Sequence, residues 1–446
     1  MTNQTDPKTR VDLLVEPEWL IQVEPSVAAL SGQAVAVHDG AIVAVLPTAD
    51  AHARYDADEH VRLAGHALMP GLVNTHNHNP MTLLRGLADD MPLMVWLNQH
   101  IWPTEARVIG PEFVRDGVEL AIAEMLRGGT TCCNENYFFP DVIAATYRRH
   151  GFRALVGLPV IDFPTAWATT ADEYFDKGLA LHDAHRGDAL VSTCFAPHAP
   201  YTVCDASLER IRVLSDQLCV PVHMHVHETA QEVEESRQKY GQRPLARLDG
   251  LGLVNEWLLA VHMTQLTQAE MERCAQAGVT VVHCPESNLK LASGFCPTHG
   301  LHQCGVRLAL GTDGPASNND LDMFGEMRTA ALLAKAVSGD AAALPAAQVL
   351  RMATIEGARA LRMDDRIGSI EAGKRADLVA VDLSSLETQP VYDPVSQLVY
   401  AAGRHQVREV WLDGRRRLRH GELVDMDVPG ILARAHAWRE RISAGS

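Results

Sequence analysis

Pro70-Gly71-Leu72-Val73-Asn74-Thr75-His76-Asn77-His78 reads as an apolar strand that ends in two histidines one residue apart. Side chains alternate across a strand with period two, so His76 and His78 point the same way. Two imidazoles side by side fill a core poorly but suit a borderline metal ion. An isolated H-x-H is more readily a pair of surface histidines, so its meaning depends on its surroundings. Those repeat the pattern. Apolar runs at 67–74, 156–161, 190–196, 220–226, 258–261, 279–283 and 306–310 end in polar or charged residues, with helical stretches such as 111–127 and 229–240 between them. Repeated βα units over roughly 300 residues indicate a parallel sheet, and closure into a (β/α)8 TIM barrel fits that length. An open, doubly wound sheet shares the local pattern. In barrels the chemistry gathers at the C-terminal strand ends, where this chain places its His, Glu and Asp residues.

The two ends of the chain read differently. Ala34-Val35-Ala36-Val37-His38 and Ala41-Ile42-Val43-Ala44-Val45-Leu46 flank Asp39-Gly40, a strong hairpin signal. A second hairpin of the same kind is centred on Asp413-Gly414. The expectation is a small β-sandwich formed by both termini, residues 1–66 plus 374–446, around a barrel at 67–373.

Composition narrows the function. The chain has 446 residues, 47% of them hydrophobic, enough for a large buried core. Its first residues are polar, with no apolar stretch of signal-peptide type, and no run of about eighteen apolar residues suggests a membrane span. Nine cysteines at irregular spacings form no C-x-x-C pair, consistent with reduced thiols and a cytoplasmic location. The net charge of -17 argues against nucleic-acid partners, which need clustered Lys and Arg. There is no phosphate-binding G-x-x-x-x-G-K-[ST] loop and no G-x-G-x-x-G opening a helix. A neutral or zwitterionic small molecule is the expected partner.

Further candidate ligands follow the first pair. In Pro221-Val222-His223-Met224-His225-Val226-His227-Glu228, three alternate histidines share a face. The one able to reach a site at the strand end while Glu228 begins the loop is read as His225. His223, deeper in the strand, reads as a hydrogen-bonded core histidine and His227 as structural. Gln231 stands where H-E-x-x-H would need its second histidine. Two later strands end in His262 and His283, and another in Asp313 between glycines. A buried Asp313 is costly unless paired or metal-bound; capping a helix is its other reading.

Taken in order, these segments resemble the amidohydrolase superfamily, within it the branch of 5-methylthioadenosine/S-adenosylhomocysteine deaminases and triazine hydrolases. The resemblance rests on Met69-Pro70-Gly71-Leu72-Val73-Asn74-Thr75-His76-Asn77-His78, Ala196-Pro197-His198-Ala199-Pro200-Tyr201 and 225–228. It continues through His283-Cys284-Pro285-Glu286-Ser287-Asn288, Gly311-Thr312-Asp313-Gly314 and Ile367-Gly368-Ser369-Ile370-Glu371-Ala372-Gly373-Lys374-Arg375-Ala376-Asp377. It implies one divalent metal ion per subunit, with zinc, iron and manganese all chemically admissible and zinc preferred, held by His76, His78, His225 and Asp313. Binuclear relatives use a lysine at the end of the fourth strand. Val191-Ser192-Thr193-Cys194-Phe195-Ala196 has none, which favours a single ion. The P-C-x-x-C signature of the cytidine-deaminase solution is absent.

The resemblance also implies roles. Asp313 takes a proton from the attacking water, His262 orients it, and Glu228 protonates the ring nitrogen beside the attacked carbon. Glu105 matches a residue accepting both ribose hydroxyls, His198 matches a substrate-contacting histidine, and Trp102 is a candidate to pack on base or sugar. Lys290, an uncommon lysine in a neutral loop, reads as a solvated lysine ahead of one near the pocket. Relatives that take S-adenosylhomocysteine well are expected to carry an arginine after the third strand; here Asp162-Phe163-Pro164-Thr165-Ala166-Trp167 has none. Apolar Phe163 and Trp167 suit a methylthio group. The expected activity is hydrolytic deamination of 5'-methylthioadenosine or adenosine ahead of S-adenosylhomocysteine, by a homo-oligomer without membrane or nucleic-acid partners. A guanine-type, 8-oxoguanine-type or triazine ring hydrolase is the alternative.

Overall fold

The computed structural model describes residues 8–444, which divide into two compact units. The first comprises 8–73, 126–131 and 346–426, and the second 74–125, 132–345 and 427–444.

Within the first unit, strands from both ends of the chain build one mixed sheet. Its N-terminal members are β1 (Thr9–Leu20), β2 (Gln33–His38), β3 (Ala41–Pro47) and β4 (Tyr55–Pro70). In the barrel sheet that follows in sequence, the strands are β5 (Leu72–Asn77), β6 (Thr130–Glu135), β7 (Arg153–Val160), β8 (Val191–Pro197), β9 (Val222–Val226), β10 (Leu258–His262), β11 (Thr280–His283) and β12 (Arg307–Leu310). The C-terminal strands β13 (Leu378–Asp382), β14 (Val407–Leu412), β15 (Arg415–Arg419) and β16 (Glu422–Leu423) return to the first sheet, whose order is β16-β15-β14-β13-β4-β1-β2-β3. There β1 runs parallel to β4 and antiparallel to β2, and β13 joins β4 antiparallel. Leu13, Val35, Leu68, Leu378 and Trp411 share its apolar core. Both expected hairpins form. Asp39 and Gly40 (φ 50° and 70°) and Asp413 and Gly414 (φ 50° and 71°) are left-handed at both central positions, the backbone that two-residue hairpin turns require.

The second sheet has the order β5 to β12, each observed neighbour pairing parallel. Every residue of β7 and β9 is buried, as expected for strands covered on both faces. Its end strands meet: Asp313 N–H donates to the His76 carbonyl (3.0 Å), Thr75 Oγ1 to the Leu310 carbonyl (2.8 Å) and Thr312 N–H to Asn74 Oδ1 (3.0 Å). The approach depends on Gly311, where a Cβ would lie 2.7 Å from the His76 nitrogen. The parallel sheet is thus a nearly closed (β/α)8-type barrel, and the open-sheet alternative is set aside.

Two local differences from the sequence reading stand out. The run at 67–74 is not one strand: 67–70 finish β4, and a new strand starts at Leu72 after Pro70-Gly71. β6 was not among the runs picked out, because Thr-Thr-Cys-Cys-Asn-Glu carries no aliphatic residue to mark it. The helices Pro111–Arg127 and Ala230–Tyr240 form where expected, the latter with the Thr229 side chain accepting from Glu232 N–H as its cap. No helix among the described residues is long and apolar enough to cross a membrane.

Candidate active site

His76, His78, His225 and Asp313 come together at the C-terminal ends of β5, β9 and β12, and one ligand atom from each lies within 4.8 Å of the others. His76 Nε2 is 3.0 Å and His78 Nε2 3.3 Å from the same oxygen, Asp313 Oδ1. Sequence spacing made the histidines neighbours; the turn after β12 brings the carboxylate to them. Asp313 has φ 63°, a left-handed conformation uncommon outside glycine, as does His262 (74°). Such strain is held in place at functional sites by the surrounding structure.

The other ring nitrogens are already engaged. His78 Nδ1–H donates to the Asn136 carbonyl (2.5 Å), and His225 Nδ1–H to the His198 carbonyl (2.6 Å). His76 Nδ1 pairs with His223 Nε2 at 3.0 Å. These contacts fix each ring and leave Nε2 for a ligand, the arrangement that orients metal-bound imidazoles. Asp313 is steadied at Oδ2 by Ser287 Oγ (2.6 Å) and Ser317 Oγ (2.8 Å), and at Oδ1 by Gly314 N–H (2.8 Å).

The electrostatics suit a cation. Burial pushes His76 down to about 4 and His225 well below its usual range, so both are neutral, the ligating form. Burial also opposes charge on His78, but its hydrogen bond to Asp313 carries it up to about 9. Burial alone would raise the Asp313 carboxyl; hydrogen bonds from His76 and His78 hold it well below the usual range. The Asp313 carboxylate thus stays ionised between His76 and His78, in a niche lined by three imidazoles and a carboxylate. That donor set fits one first-row divalent ion.

Around the cluster lies a cavity of about 500 Å³, lined by Glu105, Trp102, His198, Glu228, His262 and Asp313 among others. Glu228 is buried, which raises its carboxyl, and one oxygen is 3.8 Å from His262 Nε2. His262 Nδ1–H donates to Asn288 Oδ1 (2.9 Å), leaving Nε2 as an acceptor. Burial lifts Glu105 to about 7, and Tyr137 donates its hydroxyl hydrogen to it. His198 Nδ1 pairs with Thr202 Oγ1 at 3.0 Å.

Other candidates fall elsewhere. His227 accepts from Leu245 N–H (3.0 Å). His223 is buried and hydrogen-bonded, with His76 as its partner. Phe163 lines the cavity, whereas Trp167 is buried against Tyr174. Lys290 is not a freely solvated lysine: it bonds Asp89 (2.6 Å), Asn319 (2.5 Å) and the Ala316 carbonyl (3.2 Å). Tyr137, Asn288, Ser287 and Ser317 were not singled out by sequence. Asn288 and Ser287 stand in the quoted His283 segment, but only the fold shows what they touch.

Comparison with known proteins agrees with this geometry. Residues 67–417 match the Amidohydrolase family. A 5-methylthioadenosine/S-adenosylhomocysteine deaminase of Teredinibacter turnerae is 48% identical over 444 residues, covering 100% of both chains. One of the same description from Saccharophagus degradans is 46% identical, over 100% of this chain and 99% of its own. The crystal structure of an adenosine deaminase from Xanthomonas campestris with bound zinc is 66% identical, with a TM-score of 0.97 over 98% of this chain and 100% of that one. A triazine hydrolase variant at 21% identity and a TM-score of 0.89, covering 96% of this chain and 99% of its own, shares the fold. The chain belongs to the amidohydrolase family of metal-dependent hydrolases, closely related to its 5-methylthioadenosine/S-adenosylhomocysteine deaminases.

Proposed function

We propose that this protein deaminates an adenine nucleoside, 5'-methylthioadenosine or adenosine ahead of S-adenosylhomocysteine, to the inosine analogue and ammonia. The observation that carries the reading is the convergence of His76, His78, His225 and Asp313 in a cavity that also holds Glu228 and Glu105. The four residues would hold one divalent ion, zinc by likeness to the zinc-bound relative. When bound, such an ion supplies Lewis acidity that brings the ionisation of water from about 15.7 to roughly 7.

The chain's own groups do the rest. Asp313, kept ionised by its histidine neighbours, accepts the proton of the water that adds to C6 of the adenine ring. His262, its Nδ1–H fixed by Asn288, presents Nε2 to that water and aims it. Glu228, whose carboxyl burial raises, delivers a proton to N1. The proton taken up by Asp313 then passes to the C6 amino group, which leaves as ammonia while the C6 hydroxyl returns its proton to Glu228 and becomes the carbonyl. The Glu105 carboxylate accepts the two ribose hydroxyls, Tyr137 holding it in place. His198 and Trp102 face the nucleoside from the cavity wall.

The preference within adenine nucleosides follows from charge. None of the described residues lining the cavity is Lys or Arg, while apolar Leu97, Ile161 and Phe163 are among them. A methylthio group fits that wall; the amino-acid carboxylate of S-adenosylhomocysteine finds no cation. The test compares kcat/KM for the three nucleosides by ammonia release. S-adenosylhomocysteine is expected last, and its ranking first would overturn the preference. The same reading places the enzyme in the cytoplasm as a homo-oligomer without nucleic-acid or membrane partners. The cysteines of the described residues form no disulfide, in keeping with a reducing compartment.

A further inference from the structure

Glu16, His52 and His60 form a second convergent group of metal-ligating side chains, entirely within the first unit and sharing no residue with the catalytic cluster. Glu16 lies on β1 and His60 on β4; the parallel register sets Leu14 beside His60 and Glu16 beside Arg62, so Glu16 and His60 are diagonal neighbours. His52 comes from the last turn of the helix Thr48–Arg54, which leads directly into β4. Three separate elements thus aim one donor each at a common point.

Both imidazoles address the same carboxylate oxygen: His52 Nε2 is 2.6 Å and His60 Nε2 2.5 Å from Glu16 Oε1. Their ring centroids are 5.2 Å apart and the planes nearly perpendicular, at 70°. Arg62 Nε stands 3.4 Å from the other oxygen, Oε2, and so leaves Oε1 as the donor. The Glu16 side chain is largely buried, at 12% exposure, while His52 and His60 keep 42% and 32%. A fixed carboxylate at the base and two half-exposed imidazoles above it make a site open to solvent on one side.

We propose that Glu16, His52 and His60 form a second, surface binding site for a first-row divalent cation of the zinc or nickel class. Two nitrogens and one carboxylate oxygen suit these ions, whereas calcium and magnesium prefer all-oxygen shells. Donors about 2.0–2.2 Å from a tetrahedral ion lie roughly 3.3 Å apart, so each imidazole must retreat by roughly 0.7 Å, a small movement for exposed side chains. Water fills the remaining positions. Each imidazole then carries its proton on Nδ1 and offers the Nε2 lone pair, and the ion replaces the competition of two N–H groups for one oxygen. Occupancy ties the helix Thr48–Arg54 to β1 and β4.

The experiment uses the full-length protein with its catalytic ion in place, dialysed against nickel chloride above neutral pH, with nickel and the catalytic metal counted separately. Wild type is expected to take one nickel per chain while its catalytic metal and ammonia release stay unchanged, and its thermal midpoint should rise with nickel. His52→Asn and Glu16→Gln should each weaken nickel binding by at least about tenfold and remove the thermal shift. His52 is exposed enough that its substitution keeps the fold even should Glu16→Gln disturb β1. No nickel uptake by wild type, or equal uptake by wild type and His52→Asn, would overturn the proposal.

Discussion

Replacing Glu228 by glutamine separates proton transfer from everything else the cavity does. The amide has nearly the same shape, and the local backbone is held independently: Glu228 N–H donates to Glu232 Oε2 at 2.7 Å and His227 N–H to Glu232 Oε1 at 3.0 Å. None of the four converging ligand atoms belongs to Glu228, so metal content should equal that of wild type. What disappears is the donating carboxyl itself, whose pKa burial raises, beside His262 at 3.8 Å. A positioned general acid contributes about 10²–10⁴ in rate, equivalent to about 2.7–5.4 kcal/mol at 1.36 kcal/mol per decade. Steady-state ammonia release with 5'-methylthioadenosine should show kcat lower by that factor and KM within a few-fold. The pH profile gives a second reading. Burial raises the Glu228 pKa, so the acid form is present below that raised value and lost as pH rises through it. Wild-type kcat should therefore fall on the alkaline side, and the glutamine variant should lack that limb. A metal-replete variant with kcat within threefold of wild type would refute the assignment of the acid.

Three other expectations follow from named contacts. Glu105, lifted by burial to about 7, accepts two hydroxyls only when ionised; KM for adenosine should fall as pH rises through about 7, and 2'-deoxyadenosine should show a weaker dependence in the same assay. Gly311→Ala would set a Cβ 2.7 Å from the His76 nitrogen and 2.8 Å from its Cβ, neither free to yield; a loss of about 1–3 kcal/mol in denaturant unfolding and a drop in bound metal are expected, whereas unchanged stability and metal content would contradict the closure of β12 on β5. Phe163→Arg would bring a cation to a wall whose described residues include no Lys or Arg. Its kcat/KM for S-adenosylhomocysteine should rise about 10-fold or more, the effect of one charged hydrogen bond, with no such gain for 5'-methylthioadenosine.

What the sequence revealed, and what it hid, divides along physical lines. Period-two spacing placed His76 beside His78, and the two Asp-Gly turns announced their hairpins, because both signals are local. The choice of His225 over His223 was legible from depth in the strand, yet the bond from His223 to His76 was not, since it joins β9 to β5 across 147 positions. The left-handed backbone at Asp313 and His262 left no trace in residue type: neither is glycine. β6 escaped notice because a strand enclosed by its neighbours need not advertise itself with aliphatic residues. Tyr137 shows the same limit; its partner Glu105 lies on another element, and only the fold joins them.

The account stands on one ion held by four side chains and needed for turnover. Stripping the protein with a chelator, restoring zinc in steps and measuring ammonia release against metal bound per chain tests that claim most directly. Activity should be absent in the stripped protein, rise in proportion to bound zinc and saturate at one ion in the catalytic cluster, with the His225→Ala variant failing to recover. Full turnover without metal, or recovery in that variant equal to wild type, would contradict it.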